Sequence, residues 1–312
     1  MAIQWYPGHM HKARKQIEEI MPTIDLVIEV LDARIPFSSE NPMITDIRRD
    51  TPCLKLLNKA DLADPETTKN WLSFFESQPN VTAMAFTTHD TSLINKIPDI
   101  CRTLVPHRDQ EYKNLRTMIM GIPNVGKSTL INALAGRTIA KTGNEPAVTK
   151  TQQRINLRNG IILSDTPGIL WPKVENENSS YRLAVTGAIR DTAMDYEDVA
   201  LFAVHYLKEY YPERLQERYQ LTDIPDDDTL TLEAIGRSRG AVKSGHRINY
   251  HKVSELLLHE IRSGKLGLLS FETPSMIEHE KKVTEEKIKI KKEQDKERKE
   301  LFKVRKDKRH GK

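Results

Sequence analysis

The sequence predicts an α/β fold, a doubly wound, mostly parallel sheet, followed by a small all-helical domain and a charged tail. Three observations lead there. Ile24 to Asp32 and Pro52 to Asp61 are apolar runs rich in Val, Ile and Leu, too continuous for a sheet with one wet face, as strands covered on both faces read. Segments of helical spacing alternate with such runs, which is the pattern of crossover connections. A glycine-containing turn, Gly121-Ile-Pro-Asn-Val-Gly126-Lys127-Ser128, then lies between another apolar run and a helix.

The elements follow in order. In the basic opening segment Met10, Ala13, Ile17, Ile20 and Met21 fall at helical spacing until Pro22 stops the run, so residues 1–22 read as a basic helix lying on another surface. After the first two strands, Pro65 to Ser77 is helical, Val81 to Thr87 strand-like and Leu93 to Leu104 helical again. A polar connector, His107 to Asn114, leads into the strand Leu115 to Gly121; the helix after it carries Leu130, Ile131 and Leu134 on one face and stops at Gly136. A polar loop from Arg137 to Gln153 precedes two strands, Arg154 to Leu157 and Gly160 to Asp165. From about Ser179 the pattern is helical and no further strand is expected. The expected divisions are 1–22, a nucleotide domain over 23–175, a helical domain over 176–280 and a tail over 281–312.

At 312 residues the chain is long enough for two domains. No stretch approaches the roughly 18 apolar residues of a membrane span, and Met1 to Tyr6 has no basic-then-apolar leader, so a soluble cytoplasmic protein is expected. Cys53 and Cys101 are too few for a disulfide framework and read as core thiols; the ten histidines form no metal-ligand pattern. The net charge of +4 hides an asymmetry: Lys281 to Lys312 holds 15 Lys/Arg against 7 Asp/Glu, and the rest 33 against 37. A basic tail on a mildly acidic body suits either a nucleic-acid partner or plain solvation, as helix or disorder.

The turn at Gly121 fits GxxxxGK[ST], which average composition produces by chance in roughly one chain of this length in a hundred. Between a buried strand and a helix, its backbone N–H groups, from Asn124 and Val125 through Gly126 to Thr129, can surround phosphates. Lys127 supplies a point charge, and the Ser128 hydroxyl a magnesium ligand. Thirty-nine residues after Gly126, Asp165-Thr-Pro-Gly168 ends a strand. There Asp165 can hold magnesium through water and the Gly168 N–H can bond a terminal phosphate.

Asn58-Lys59-Ala60-Asp61 also follows a buried strand. The Asp61 carboxylate can accept both the ring N–H and the amino group of guanine. Adenine offers neither, a difference that can reject the wrong base by roughly 10⁴. Asn58 would brace the loop and the Lys59 stem cover the base. Alone, the tetrapeptide also suits a helix-capping turn; beside two phosphate motifs it reads as guanine recognition. It precedes the phosphate motifs by about sixty residues, the reverse of the ordinary order, so the domain reads as circularly permuted. Such a cut keeps the strands in place and changes only connections. It also sends the chain from the loop at Asp165 directly into the helical half.

This permuted order, with WYPGHMHKA at Trp5 to Ala13, VLDARIPFSSENP at Val30 to Pro42 and HRINYHKVSELLLHEIRSGKLG at His246 to Gly267, resembles the YlqF/YawG group of circularly permuted P-loop GTPases. The resemblance covers nearly the whole chain except the tail. It implies a GTPase acting on a late precursor of the bacterial large ribosomal subunit, with a helical RNA-binding domain similar to the ANTAR type. The expected partners are therefore GTP or GDP and the large-subunit precursor with its rRNA, with the chain acting as a monomer. The guanine-oxygen loop, usually Ser-Ala-like, is here Thr87-Thr88, a contact made by backbone N–H. The loop Pro146-Ala147-Val148-Thr149 makes Thr149 the candidate ligand for magnesium and terminal phosphate, with Thr151 its near rival.

Ile169 stands after Gly168, where many GTPases have a water-orienting glutamine, and isoleucine cannot hydrogen-bond water. The resemblance points to His9, with Gly8 giving it local freedom; binding RNA or packing beside Trp5 is its other reading. Asn124 resembles the asparagine of GTPases that hold potassium at the bridging oxygen, and otherwise stabilises its own turn. Arg237, Arg239, Lys243, His246, Arg247, Lys252, Arg262 and Lys265 punctuate two helices and their connection, with Leu256, Leu257, Leu258 and Ile261 on the apolar face. Such cations contact RNA phosphates rather than bases. Two further readings stay open: a nucleotide-gated RNA-binding scaffold with incidental hydrolysis, which Ile169 favours, and a GTPase acting on a non-ribosomal RNA complex.

Overall fold

The computed structural model describes Lys15 and residues 17–106, 114–139, 153–157, 160–165, 176–189 and 194–310. Met1–Thr273 form one compact unit and Pro274–Lys312 a second. In the first, β1 (Leu26–Asp32), β2 (Cys53–Asn58), β3 (Val81–Ala85), β4 (Leu115–Gly121), β5 (Gln153–Leu157) and β6 (Ile161–Asp165) form one sheet in the order β3-β2-β1-β4-β6-β5. Every neighbouring pair is parallel except β5 with β6. The expected α/β class and mostly parallel sheet are what the chain adopts.

β1 and β2 are buried at every position, as their apolar runs require, yet each carries one charge in its middle. The register places Glu29 opposite Lys55, whose Nζ lies 2.7 Å from Glu29 Oε2 and 2.7 Å from Glu40 Oε1. Pairing is what makes charges tolerable inside a sheet. Cys53 and Cys101 are buried, and burial pushes both thiols up to about 12, as expected of core cysteines.

The strands alternate with α1 (Pro36–Ser39), α2 (Pro42–Arg48), α3 (Pro65–Glu76), α4 (Thr91–Leu104) and α5 (Lys127–Ala135). The sequence reading did not anticipate α1 and α2. Proline in the first turn of each, and the Asn41 side chain accepting from Met43 N, are the local signals that start them. Asp64 and Asp90 cap α3 and α4 in the same way.

Among the described residues five helices follow: α6 (Glu177–Val185), α7 (Tyr196–Tyr210), α8 (Pro212–Tyr219), α9 (Asp228–Ser238) and α10 (Tyr250–Arg262). Asn176, Asp195, Asp227 and Asn249 cap four of them. Val199, Ala203, Leu207, Leu232, Ile235, Val253, Leu257 and Ile261 are buried. The domain boundary expected near Glu175 lies outside the described residues.

After α10 the chain runs back to the sheet. Leu269 N donates to Leu62 O (3.0 Å), Phe271 N to Arg34 O (2.8 Å) and Trp71 Nε1 to Glu272 O (3.0 Å). Glu272 is fully buried, which pushes its carboxyl up even with Arg182 Nη1 3.6 Å away and Ser38 donating from backbone and hydroxyl. The second unit is one helix, α11 (Pro274–His310), so the tail read as either helix or disorder is helical. Among the described residues no helix is long and apolar enough to cross a membrane.

Candidate functional site

The parallel register lines up the carboxyl ends of four adjacent strands. Asn58 ends β2, Asp32 ends β1, Gly121 ends β4 and Asp165 ends β6, with Asp32 opposite Asn58 and Asp165 opposite Ile119. Open α/β sheets bind ligands in the crevice beyond such ends where the strand order reverses, as it does between β1 and β4. Motifs sixty residues apart in sequence are neighbours here.

The turn from β4 to α5 is shaped by close approach. A Cβ on Gly121 would lie 2.7 Å from Val30 O, and one on Gly126, at φ +94°, 2.2 Å from Asn58 Nδ2. Asn124 also takes a left-handed conformation, φ +59°. Gly126 is the N-cap of α5 and no side chain caps that helix, so its first amides and positive dipole end face the crevice.

Lys127 is buried, and its ammonium pairs with Asp165 Oδ1. Burial lowers its proton affinity, Asp165 opposes this, and the net shift is downward. The Asp165 carboxylate is 0% exposed and its Oδ2 has no partner among the described atoms. With the half-buried Ser128 beside Lys127, these hard oxygens suit a small divalent cation such as magnesium.

The loop Asn58–Asp61 is bolted to this turn. Asn58 Nδ2 donates to Val125 O at 2.7 Å, which ties the two loops together, and Asn58 Oδ1 has no partner among the described atoms. Ala60 N donates to Phe86 O (3.2 Å) and Phe86 N to Leu57 O (2.9 Å), which brings half-buried Thr87 and Thr88 beside the loop. Asp61 is exposed. Lys59, at φ +62°, sends its ammonium to Asp32 Oδ2 at 2.9 Å.

Asp32 and Arg34 are site residues to which the sequence reading gave no role. Arg34 donates to Asp32 from Nε at 2.9 Å and Nη2 at 2.7 Å. Burial alone would raise the Asp32 carboxyl; the Arg34 and Lys59 cations overcome that and hold it well below the usual range. The legible signal was an Asp-x-Arg directly at the end of a buried strand.

The carboxyl end of α6 joins these loops to the helical half. Gly187 at φ +81° closes a Schellman turn, with Gly187 N on Ala184 O (3.1 Å) and Ala188 N on Leu183 O (2.8 Å). Side chains from elsewhere reach the neighbouring carbonyls. Arg262 donates to Ala184 O (2.8 Å) and Val185 O (3.0 Å), Arg34 to Thr186 O (3.3 Å), and Asn124 to Gly187 O (2.9 Å).

Two cations expected to face RNA are therefore engaged internally. Arg262 fills the α6 terminus. Arg239 donates to Arg218 O (2.9 Å) and lies 5.3 Å from the centre of the Tyr219 ring. Lys243, His246, Arg247, Lys252 and Lys265 are exposed, as is Arg237, which pairs with Glu233 at 3.2 Å one turn away. Lys243 and Arg247 sit on a hairpin closed by the Val242–Ile248 bridge. His9, Thr149, Gly168 and Ile169 lie outside the described residues.

Residues 116–232 match the family described as 50S ribosome-binding GTPase. The chain is 48% identical over 281 residues to ribosome biogenesis GTPase A of Bacillus pumilus, covering 88% of this chain and 99% of that protein. It is 33% identical over 276 residues to the protein of the same name from Thermotoga maritima, covering 88% and 96%. The crystal structure of GNP-bound YlqF from T. maritima superposes with a TM-score of 0.59 at 27% identity, covering 84% of this chain and 98% of that one.

Proposed function

The chain belongs to the ribosome biogenesis GTPase A family and hydrolyses GTP; from that premise we propose that it is an assembly factor for the bacterial large ribosomal subunit. It binds rRNA of a late precursor in the cytoplasm in its GTP form, as a monomer, and leaves after particle-stimulated hydrolysis. The observation that carries this reading is the convergence of Asn58, Gly126, Lys127 and Asp165 at adjacent strand ends.

In this mechanism Asp61 reads the base, backed by Asn58, the Lys59 stem and the amides of Thr87 and Thr88. Val125, Gly126 and Thr129 present amides to the phosphates, and Lys127 exchanges its Asp165 partner for phosphate oxygens. Magnesium, the ordinary cofactor of P-loop GTPases, would be held by Ser128, Thr149 and Asp165 and would draw charge from the terminal phosphate. The Gly168 amide marks the terminal phosphate. With Ile169 in the glutamine position, His9 is the group that orients water. Asn124, its amide oriented by Gly187 O, would hold potassium, which would supply a second positive charge. Residues 23–175, with His9 from the segment 1–22, do this work, 176–280 and the tail 281–312 meet RNA, and the exposed Arg237, Lys243, Arg247, Lys252 and Lys265 supply the phosphate contacts.

The test is GTP turnover in potassium buffer, with and without purified large subunits at matched salt. A rise of tenfold or more is expected, lost in sodium and in His9→Ala. Unstimulated turnover with GTP still tightly bound would replace this reading with the gated scaffold or a non-ribosomal RNA partner.

A further inference from the structure

We propose that Arg34 is a positioning residue for nucleotide recognition: it clamps Asp32, which anchors Lys59 of the guanine loop, and ties that loop to the carboxyl end of α6. The proposal rests on the reading of Asn58–Asp61 as that loop.

Arg34 is 2% exposed and, among the described residues, has no hydrogen bond to residues 121–128 or Asp165, yet its bonds reach three parts of the molecule. Its guanidinium grips Asp32 by two parallel bonds, 2.9 Å and 2.7 Å, and its own backbone N adds a third at 3.1 Å. That bidentate fork leaves the carboxylate one orientation. The same Oδ2 that takes Nη2 also takes the Lys59 ammonium, so the end of the Lys59 side chain is set by where Arg34 holds Asp32. Lys59 itself stands in the left-handed region, between the last residue of β2 and the turn carrying Asp61. Its stem is therefore pinned at both ends.

The other bonds face the helical half. Arg34 Nη2 lies 3.3 Å from Thr186 O, and Arg34 O accepts Phe271 N at 2.8 Å. A lysine in place of Arg34 keeps the charge and loses the fork. A methionine takes the cluster from one net positive charge to a neutral Asp32–Lys59 pair, so the carboxylate keeps a counter-ion while the fork that orients it is lost. The expected defect is a Lys59 stem free to swing, seen as weaker nucleotide binding.

The experiment is a double-mutant cycle on GDP affinity, read with a fluorescent GDP analogue, using Arg34→Met, Lys59→Met and the double variant, with melting temperatures alongside. Arg34→Met alone is expected to weaken GDP about tenfold, and steady-state GTP turnover to lose it through KM rather than kcat. On top of Lys59→Met the same change is expected to cost less than twofold, because the group it positions is gone. Unchanged affinity in Arg34→Met, or a second full tenfold loss in the Lys59→Met background, overturns the proposal. If Arg34→Met does not fold, Arg34→Lys at wild-type melting temperature is expected to weaken GDP two- to threefold, and wild-type affinity there overturns it. Asp61→Ala separates the premise: if it leaves the preference for GTP over ATP intact, the guanine-loop reading falls and Arg34's role with it. If that preference is lost while the cycle is additive, only the role of Arg34 falls.

Discussion

Two helix ends near the crevice treat their unsatisfied backbone groups in opposite ways. The amino end of α5 is capped by Gly126 and receives no side chain, although seven other helices in the described residues are capped by Asn or Asp. The carboxyl end of α6 is filled: carbonyls from Ala184 to Gly187 take donors from Arg262, Arg34 and Asn124. An open end has amides to give a ligand, and a filled end is a joint. Asn124 belongs to both, since it lies in the turn that opens α5 and bonds the terminus of α6. Among the described residues the Asn124 bond to Gly187 O thus ties the phosphate turn directly to the helical half.

The largest effect is expected at the open end. Lys127→Ala removes the charge meant for the phosphates and leaves Asp165 buried without its cation. Turnover per GTP is expected to fall by about 10³ or more. Unfolding free energy is expected to drop by about 3–5 kcal/mol from the stranded carboxylate. GTP turnover and denaturant unfolding measure the two separately, and near-normal turnover would remove α5 as the phosphate end. At the joint the order reverses. Gly187→Ala forces a side chain onto φ +81° with its Cβ 3.2 Å from Arg262 Nε, so stability is expected to fall by about 1–3 kcal/mol. GDP affinity is expected to change less than fivefold; a greater loss there than in stability would mean that the joint acts on the nucleotide first.

The cations of the helical half divide along the same line. Arg262 is spent on the joint, so Arg262→Ala is expected to lower the melting temperature and to leave the salt dependence of particle binding unchanged. Lys243→Ala and Arg247→Ala, on the exposed hairpin, are expected to leave melting untouched. Each is expected to reduce the slope of log affinity against log salt by roughly 0.7 to 0.9. Titrating particle binding over a salt series decides this: equal slopes for wild type and the hairpin variants would take RNA contact away from that surface.

The open end was legible because its chemistry is local. A phosphate turn needs glycines and a lysine at fixed spacing, and the alternation of apolar runs placed it between β4 and α5. The Asn58–Asp61 turn was visible as a motif for the same reason, and so was the permuted order. The joint was not, because its parts come from Arg34, Asn124, residues 184–187 and Arg262, and no short pattern joins positions so far apart. Arg262 looks like any other cation among His246 to Gly267; only packing shows that it closes a helix. The Glu29–Lys55 pair was hidden likewise, since cross-strand register, not either strand's own pattern, brings the charges together.

The smallest effect is one of pH, and it tests whether the joint keeps its charges fixed. Asp32 is held below the usual carboxylate range, first against burial and then by Arg34 and Lys59. A carboxyl depressed on folding contributes stability that is fully present above its unfolded value, about 3.9, and is lost only as pH falls through the lower folded value. Between pH 8 and pH 5 the Asp32–Arg34–Lys59 cluster should therefore keep its anion. GDP affinity is expected to stay within twofold across that window once phosphate titration of the nucleotide is subtracted. An inflection near pH 5 to 6 in wild type that disappears in Asp32→Asn would show Asp32 taking up a proton there, and a carboxylate that can let go of Lys59 is a switch rather than a joint.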